Sequence, residues 1–111
     1  MNERIALTAC IRPGRRASLE RCIDAGPPFD LAAAGFERHD VYLGPDEVVF
    51  VFEGTQPLER LRALSVERMR DLLDLGSSVT MPRIQRPALT WQPPYPRRFS
   101  WQRGHRGSVA P

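Results

Sequence analysis

The stretch Phe36-Glu37-Arg38-His39-Asp40-Val41-Tyr42-Leu43, followed by Gly44-Pro45-Asp46-Glu47 and then Val48-Val49-Phe50-Val51-Phe52-Glu53, decides the fold. Two runs rich in β-branched and aromatic residues flank four residues of turn chemistry, which predicts a β-hairpin. With Pro45 and Asp46 at the tip, Leu43 faces Val48, Val41 faces Phe50, His39 faces Phe52 and Arg38 faces Glu53. Side chains alternate between the two faces of a strand, so two sets separate. His39, Val41, Leu43, Val48, Phe50 and Phe52 form a mostly apolar face suited to helices. Phe36, Arg38, Asp40, Tyr42, Val49, Val51 and Glu53 form a mixed face, too polar for helices and too apolar for open water, which points to a pocket or a partner. A slip of one residue would exchange the sets.

Working outward, Arg4 to Arg12 alternates Ile5, Leu7, Ala9 and Ile11 against Ala6, Thr8 and Cys10, the pattern of a half-buried strand. The larger set should meet helices and the smaller set leave room on the mixed face. After Pro13-Gly14, Leu19, Cys22 and Ile23 recur at helical spacing up to the Gly26-Pro27-Pro28 breaker. Residues 29–35 read as a helical continuation that Asp30 caps and Gly35 closes, with Phe29 and Leu31 inward. Beyond the hairpin, Thr55 can cap a long helix with Pro57 in its first turn. Leu58, Leu61, Leu64, Met69, Leu72, Leu73 and Leu75 make its buried stripe, and Gly76 its stop. Residues 77–86 read as a polar connection and Pro87 to Gln92 as a fourth strand. Residues 93–111 read as a Pro/Arg-rich C-terminal tail, poorly ordered by itself, whose Phe99 and Trp101 pack on the body or on another subunit.

At 111 residues the chain is long enough for one domain with a core of its own. No apolar run of about 18 residues is present, so no membrane span is expected. The N-terminus runs straight into a strand pattern rather than a signal peptide, and a cytoplasmic location follows as the default. All 16 basic residues are arginine, which together with abundant Ala, Gly and Pro suggests a high-GC bacterial source. The net charge of +3 is unevenly placed: residues 1–96 hold 12 arginines against 13 acids, and the surplus lies in the tail. A nucleic-acid partner is therefore not expected for the body. Cys10 and Cys22 lack ligand-spaced neighbours, so they read as free, partly buried thiols, with neither metal nor cofactor expected.

The resulting order, βαββαβ, is the ferredoxin-like pattern. The opening Ile5-Ala6-Leu7-Thr8-Ala9-Cys10-Ile11-Arg12-Pro13-Gly14 resembles the first strand and Pro-Gly turn of the dimeric α+β barrel superfamily. Val41-Tyr42-Leu43 before the turn, and Val49-Phe50-Val51-Phe52-Glu53 leading to a Pro-started helix, resemble it too. The likeness covers about residues 4–92 and is one of pattern, without a diagnostic motif. That superfamily includes cofactor-independent antibiotic-biosynthesis monooxygenases, aromatic polyketide cyclases and sugar mutarotases. The resemblance implies an α+β fold with a four-stranded antiparallel sheet. It also implies a homodimer that pairs its sheets face to face and holds a small organic ligand between them, in a setting of bacterial secondary metabolism.

On that mixed face, Glu53 and Asp40 are the candidate general bases, since a buried carboxylate can have its pKa raised. Arg38 would hold an anionic or enolic oxygen, with Tyr42, Thr8 and Cys10 as further ligand-binding residues. The plain alternative is a cross-strand Arg38–Glu53 ion pair with only a structural role. His39 belongs to the helix-facing set and becomes a catalytic candidate only if the register slips by one. Against the enzyme stands a non-enzymatic binding or accessory dimer. The tail's Pro93-Pro94-Tyr95-Pro96-Arg97-Arg98 offers a polyproline-type partner motif.

Overall fold

The structure, a computed structural model, describes residues 2–26, 30–63, 78–80, 82–104, 108 and 109. Its elements run β1 (Glu3–Cys10), α1 (Arg16–Asp24), β2 (Phe36–Leu43), β3 (Glu47–Gly54), α2 (Pro57–Arg62), β4 (Arg83–Gln85), β5 (Arg97–Gln102) and β6 (Ser108–Val109). All six strands join one antiparallel sheet in the order β4-β1-β3-β2-β5-β6. The α+β class stands, with six strands where four were expected. Among the described residues no helix is long and apolar enough to cross a membrane.

The hairpin forms in the expected register, with Leu43 opposite Val48, Val41 opposite Phe50, His39 opposite Phe52 and Arg38 opposite Glu53. The Gly44 amide donates to the Glu47 carbonyl at 2.8 Å and closes the turn. β1 lies along the other side of β3, pairing Ile5 with Phe52, Leu7 with Phe50 and Ala9 with Val48. These residues make one apolar face. α1 packs Leu19 and Ile23 against Ala9, Val41, Leu43 and Val48. α2 brings Leu58 and Leu61 to Ile5, Phe36 and Phe52. Asp30 accepts from the Ala33 amide at 3.1 Å and organises a turn that buries Leu31, rather than a continued helix.

Several expectations are corrected. Phe36 was assigned to the mixed face, but a bulge between Phe36 and Arg38 turns it to the helix side, where its ring lies 5.0 Å from Phe52. An extra residue in a strand inverts the alternation beyond it. Thr55 does not cap α2: the N-cap position falls on Gln56, in the left-handed conformation at φ 50°, and its side chain makes no capping bond. The long-helix stripe beyond residue 63, the Pro27-Pro28 half of the breaker and Phe29 lie outside the described residues.

The largest correction concerns residues 82–102. The fourth strand is Arg83–Gln85, earlier than expected, and Pro87 to Gln92 is not a strand. Residues 97–102 are no tail: they form β5 along the outer edge of β2, with Phe99 buried opposite Val41 and Trp101 opposite His39. β4 and β5 therefore sit on opposite sides of β1, β3 and β2, and residues 86–96 must cross three strands to join them. Four strand spacings make roughly 19 Å, well within the reach of eleven residues, which extend up to about 36 Å.

That crossing segment, here called the strap, passes over the face away from the helices. Trp91 and Tyr95 pack on Ala6, Tyr42, Val49 and Val51. The mixed face, expected to lie open until a second copy covers it, is instead covered in part by the chain itself. The reason is topological: once β5 adds to the far edge, its connection has no other free face to cross.

Candidate functional site

On the strap side the register sets side chains in rows across the sheet. The first row reads Arg4 (β1), Glu53 (β3), Arg38 (β2), Gln102 (β5). The second reads Ala6, Val51, Asp40, Ser100, and the third Thr8, Val49, Tyr42, Arg97. The strap crosses this grid diagonally. It begins above Arg4, whose Nη1 donates to the carbonyls of Leu89 at 2.8 Å and Trp91 at 2.7 Å, with a weaker approach to Ala88 at 3.3 Å. It ends above the hairpin turn, where the Tyr95 ring occupies the space that a Cβ on Gly44 would fill. There the Tyr95 hydroxyl donates to Glu47 Oε1 at 2.6 Å, and the Leu43 amide donates to the Pro96 carbonyl at 3.0 Å. The Glu47 carboxylate holds the Tyr95 hydroxyl protonated above its usual range.

A diagonal leaves corners, and one is polar. It holds Glu53, Arg38, Gln102, Asp40 and Ser100. Asp40 is wholly buried (0 % exposed), yet both of its oxygens are satisfied. Arg38 Nε donates to Oδ2 at 2.8 Å, and Ser100 Oγ donates to Oδ1 at 2.7 Å. With Nε spent on Asp40, the Nη atoms of Arg38 make no hydrogen bond to a described residue, and the side chain is 36 % exposed. Glu53 is 22 % exposed and 3.7 Å from Arg4 Nε, a distance for an ion pair but not a hydrogen bond. Arg4 itself is 6 % exposed, and its Nε has no hydrogen-bond partner among the described residues.

Tyr42 lies between this corner and the strap. Burial, followed by the negative charge of Asp40, pushes its phenol up, so at neutral pH the hydroxyl keeps its proton. Arg97, Arg4 and Arg38 are all close enough for their charges to act on it in the opposite sense.

The expected site residues thus divide. Arg38, Asp40, Tyr42 and Glu53 come together on one face. His39 does not join them: it is 4 % exposed on the helix side, stacked on Phe52 at 4.2 Å and tilted against Phe99 at 5.8 Å. Its Nδ1 donates to the Val51 carbonyl at 2.9 Å, and burial lowers its pKa to about 4. Thr8 is buried in the third row, with two strands between it and Arg97. Cys10 stands at the exposed end of β1, where its backbone bonds Thr80, and Cys22 is half-buried. Among the described residues no three His, Cys, Asp or Glu side chains gather as a metal would require.

Four contributors escaped the sequence reading: Arg4, Trp91, Arg97 and Ser100. For Ser100 the signal was present, since Phe99 and Trp101 alternate with Ser100 and Gln102 in the period of a strand. Arg98 is displaced by a second bulge, between Val41 and Tyr42, and forms a two-pronged bond with Asp24 of α1 at 2.9 and 2.7 Å. Arg103 pairs with Glu37 at 3.1 Å and donates to the Ala32 and Phe36 carbonyls. Two of the arginines expected in a free tail, Arg98 and Arg103, therefore fasten β5 to the body. No family model matches the chain, and neither a curated protein nor a solved structure matches it significantly.

Proposed function

We propose that the protein binds a small organic molecule at the polar corner beside the strap, with Arg38 as the group that meets it. The observation that carries this reading is Asp40. A carboxylate with no solvent access is a poor way to stabilise a sheet, because desolvation offsets most of what its ion pair contributes. What the pair does accomplish is orientation: with Nε held by Asp40, and Asp40 held by Ser100, the guanidinium keeps its outer edge toward solvent. On the same face, Trp91 packs over the apolar cluster of Tyr42, Val49 and Val51.

The order β4-β1-β3-β2, with one helix after β1 and one after β3, supports a ferredoxin-like core to which β5 and β6 have been added. In the dimeric barrels that this pattern resembles, a second copy walls the sheet face. Here the strap takes that position, so the reading needs no homodimer. Asp40 becomes a positioning residue, and Glu53, the carboxylate of the corner with solvent access, remains the one suited to proton transfer if the ligand is turned over.

The test is a fragment screen against the ¹⁵N-labelled chain. Binders should move the resonances of Arg38 Nε, Ser100, Gln102 and the Trp91 indole, and the recovered fragment shows whether it was changed. Shifts confined to the α1–α2 side, or spread without focus, would overturn the reading.

A further inference from the structure

Resting on that reading, we infer that the corner takes a small zwitterion of no net charge, its anionic group on the outer edge of Arg38 and its cationic group on Glu53.

Arg38 and Glu53 face each other across β2 and β3, yet no ion pair joins them. Cross-strand partners stand about 5 Å apart at Cα, so the separation comes from the directions of the side chains. Arg38 turns along its own strand and reaches Asp40 through Nε at 2.8 Å. Glu53 turns the other way, to Arg4 on β1, 3.7 Å from its Nε. Both turns have buried supports. Asp40 is wholly buried and bonded to Ser100, and Arg4 is tied to the strap carbonyls.

Each group keeps unused bonding capacity on its free side. The Glu53 carboxylate accepts no hydrogen bond from a described residue, and the Nη atoms of Arg38 donate none. Neither is sealed, because the one buried side-chain polar atom without a partner among the described residues is Arg4 Nε. The Glu53 oxygens and the Arg38 Nη atoms therefore keep contact with solvent, and a small ligand meets them with the strap in place.

The charges of the first two rows, Arg4, Glu53, Arg38 and Asp40, sum to zero, and Gln102 beyond Arg38 adds none. An anion on Arg38 would stand within one strand spacing of Glu53. A cation on Glu53 would meet both Arg38 and Arg4. A ligand with both charges satisfies each group and is repelled by neither. Its charges need a separation of about 5 Å, one strand spacing, which a short aminocarboxylate or aminosulfonate supplies. The planar N–H edge of Arg38 matches either anionic group.

Three matched probes separate the charges: β-alanine carries both, N-acetyl-β-alanine the anion alone and β-alaninamide the cation alone. Each is titrated into the ¹⁵N-labelled chain while the Arg38 Nε resonance is followed. β-Alanine should bind roughly tenfold more tightly than either single-charge probe, the worth of one charge-assisted contact. Glu53→Gln should remove its advantage over N-acetyl-β-alanine, whereas Glu59→Gln, an equal change at an exposed position of α2, leaves it intact. Thermal melting checks the fold of each variant, and the ranking on the wild-type chain still decides if Glu53→Gln does not fold. N-acetyl-β-alanine binding at Arg38 as tightly as β-alanine would overturn the zwitterion inference and leave the site standing. So would silence from all three probes where the fragment screen finds a binder at the corner. No binder in either experiment would overturn both.

Discussion

Arg4 on β1 donates through Nη1 to the Trp91 carbonyl at 2.7 Å and thereby holds the strap to a strand 87 residues earlier in the chain. The same nitrogen approaches the carbonyls of Leu89 and Ala88, so two N–H groups serve three acceptors. A buried hydrogen bond from a charged donor contributes about 1.5–3 kcal/mol. Arg4→Met is therefore expected to destabilise the fold by about 2–3 kcal/mol in urea titration. With Trp101→Phe as background, its Trp91 emission should shift to the red as the strap loosens. An unshifted spectrum would mean the strap is held by other contacts.

The Arg38–Asp40 pair should be asymmetric. Arg38→Ala leaves a fully buried carboxylate with Ser100 alone, and breaking a buried pair in this way costs about 3–5 kcal/mol. Adding Asp40→Asn to that variant removes the stranded charge and should restore at least half of the loss. A double variant no more stable than Arg38→Ala would contradict the view that desolvation of Asp40 dominates.

His39 sets a pH dependence. Its pKa falls from the ordinary 6.5 to about 4 on folding because burial disfavours the imidazolium. Above pH 6.5 neither folded nor unfolded chain binds this proton, and stability is full. Between 6.5 and about 4 only the unfolded chain takes it up, so stability falls across that window by about 3 kcal/mol, at 1.36 kcal/mol per pKa unit. His39→Phe should flatten this part of the profile in denaturant titrations at successive pH values. A profile of the same slope would assign the effect to other groups.

β5 should be indispensable. Phe99→Ala removes a buried ring from the cluster of Val41, Leu43, Leu19 and Ile23, at a cost of about 3–5 kcal/mol. A chain ending at residue 96 would also strip His39 and Val41 of their outer neighbours, and circular dichroism should find it unfolded. A cooperative melt of that shortened chain would show the segment to be an accessory.

The hairpin was legible in the sequence because two local signals agreed: period-two alternation and a Gly-Pro-Asp-Glu turn. Register then followed, and with it the grouping of Arg38, Asp40, Tyr42 and Glu53 on one face. The strap was not legible for a physical reason. Pro93, Pro94 and Pro96 lack amide donors, so the segment reads as the end of regular structure, although such a segment suits a crossing that needs few ladder bonds. Phe36 was misplaced because a bulge leaves no mark in residue type. Arg4 was overlooked because its role depends on carbonyls more than eighty residues away.

The position of β5 also orders events during synthesis. Until residue 102 has emerged from the ribosome, β2 exposes the unpaired amides and carbonyls along Arg38 to Tyr42 that β5 will later take. A nascent chain halted before that point would present an adhesive edge to its neighbours. By pairing with that edge, β5 thus also shields the growing polypeptide from aggregation.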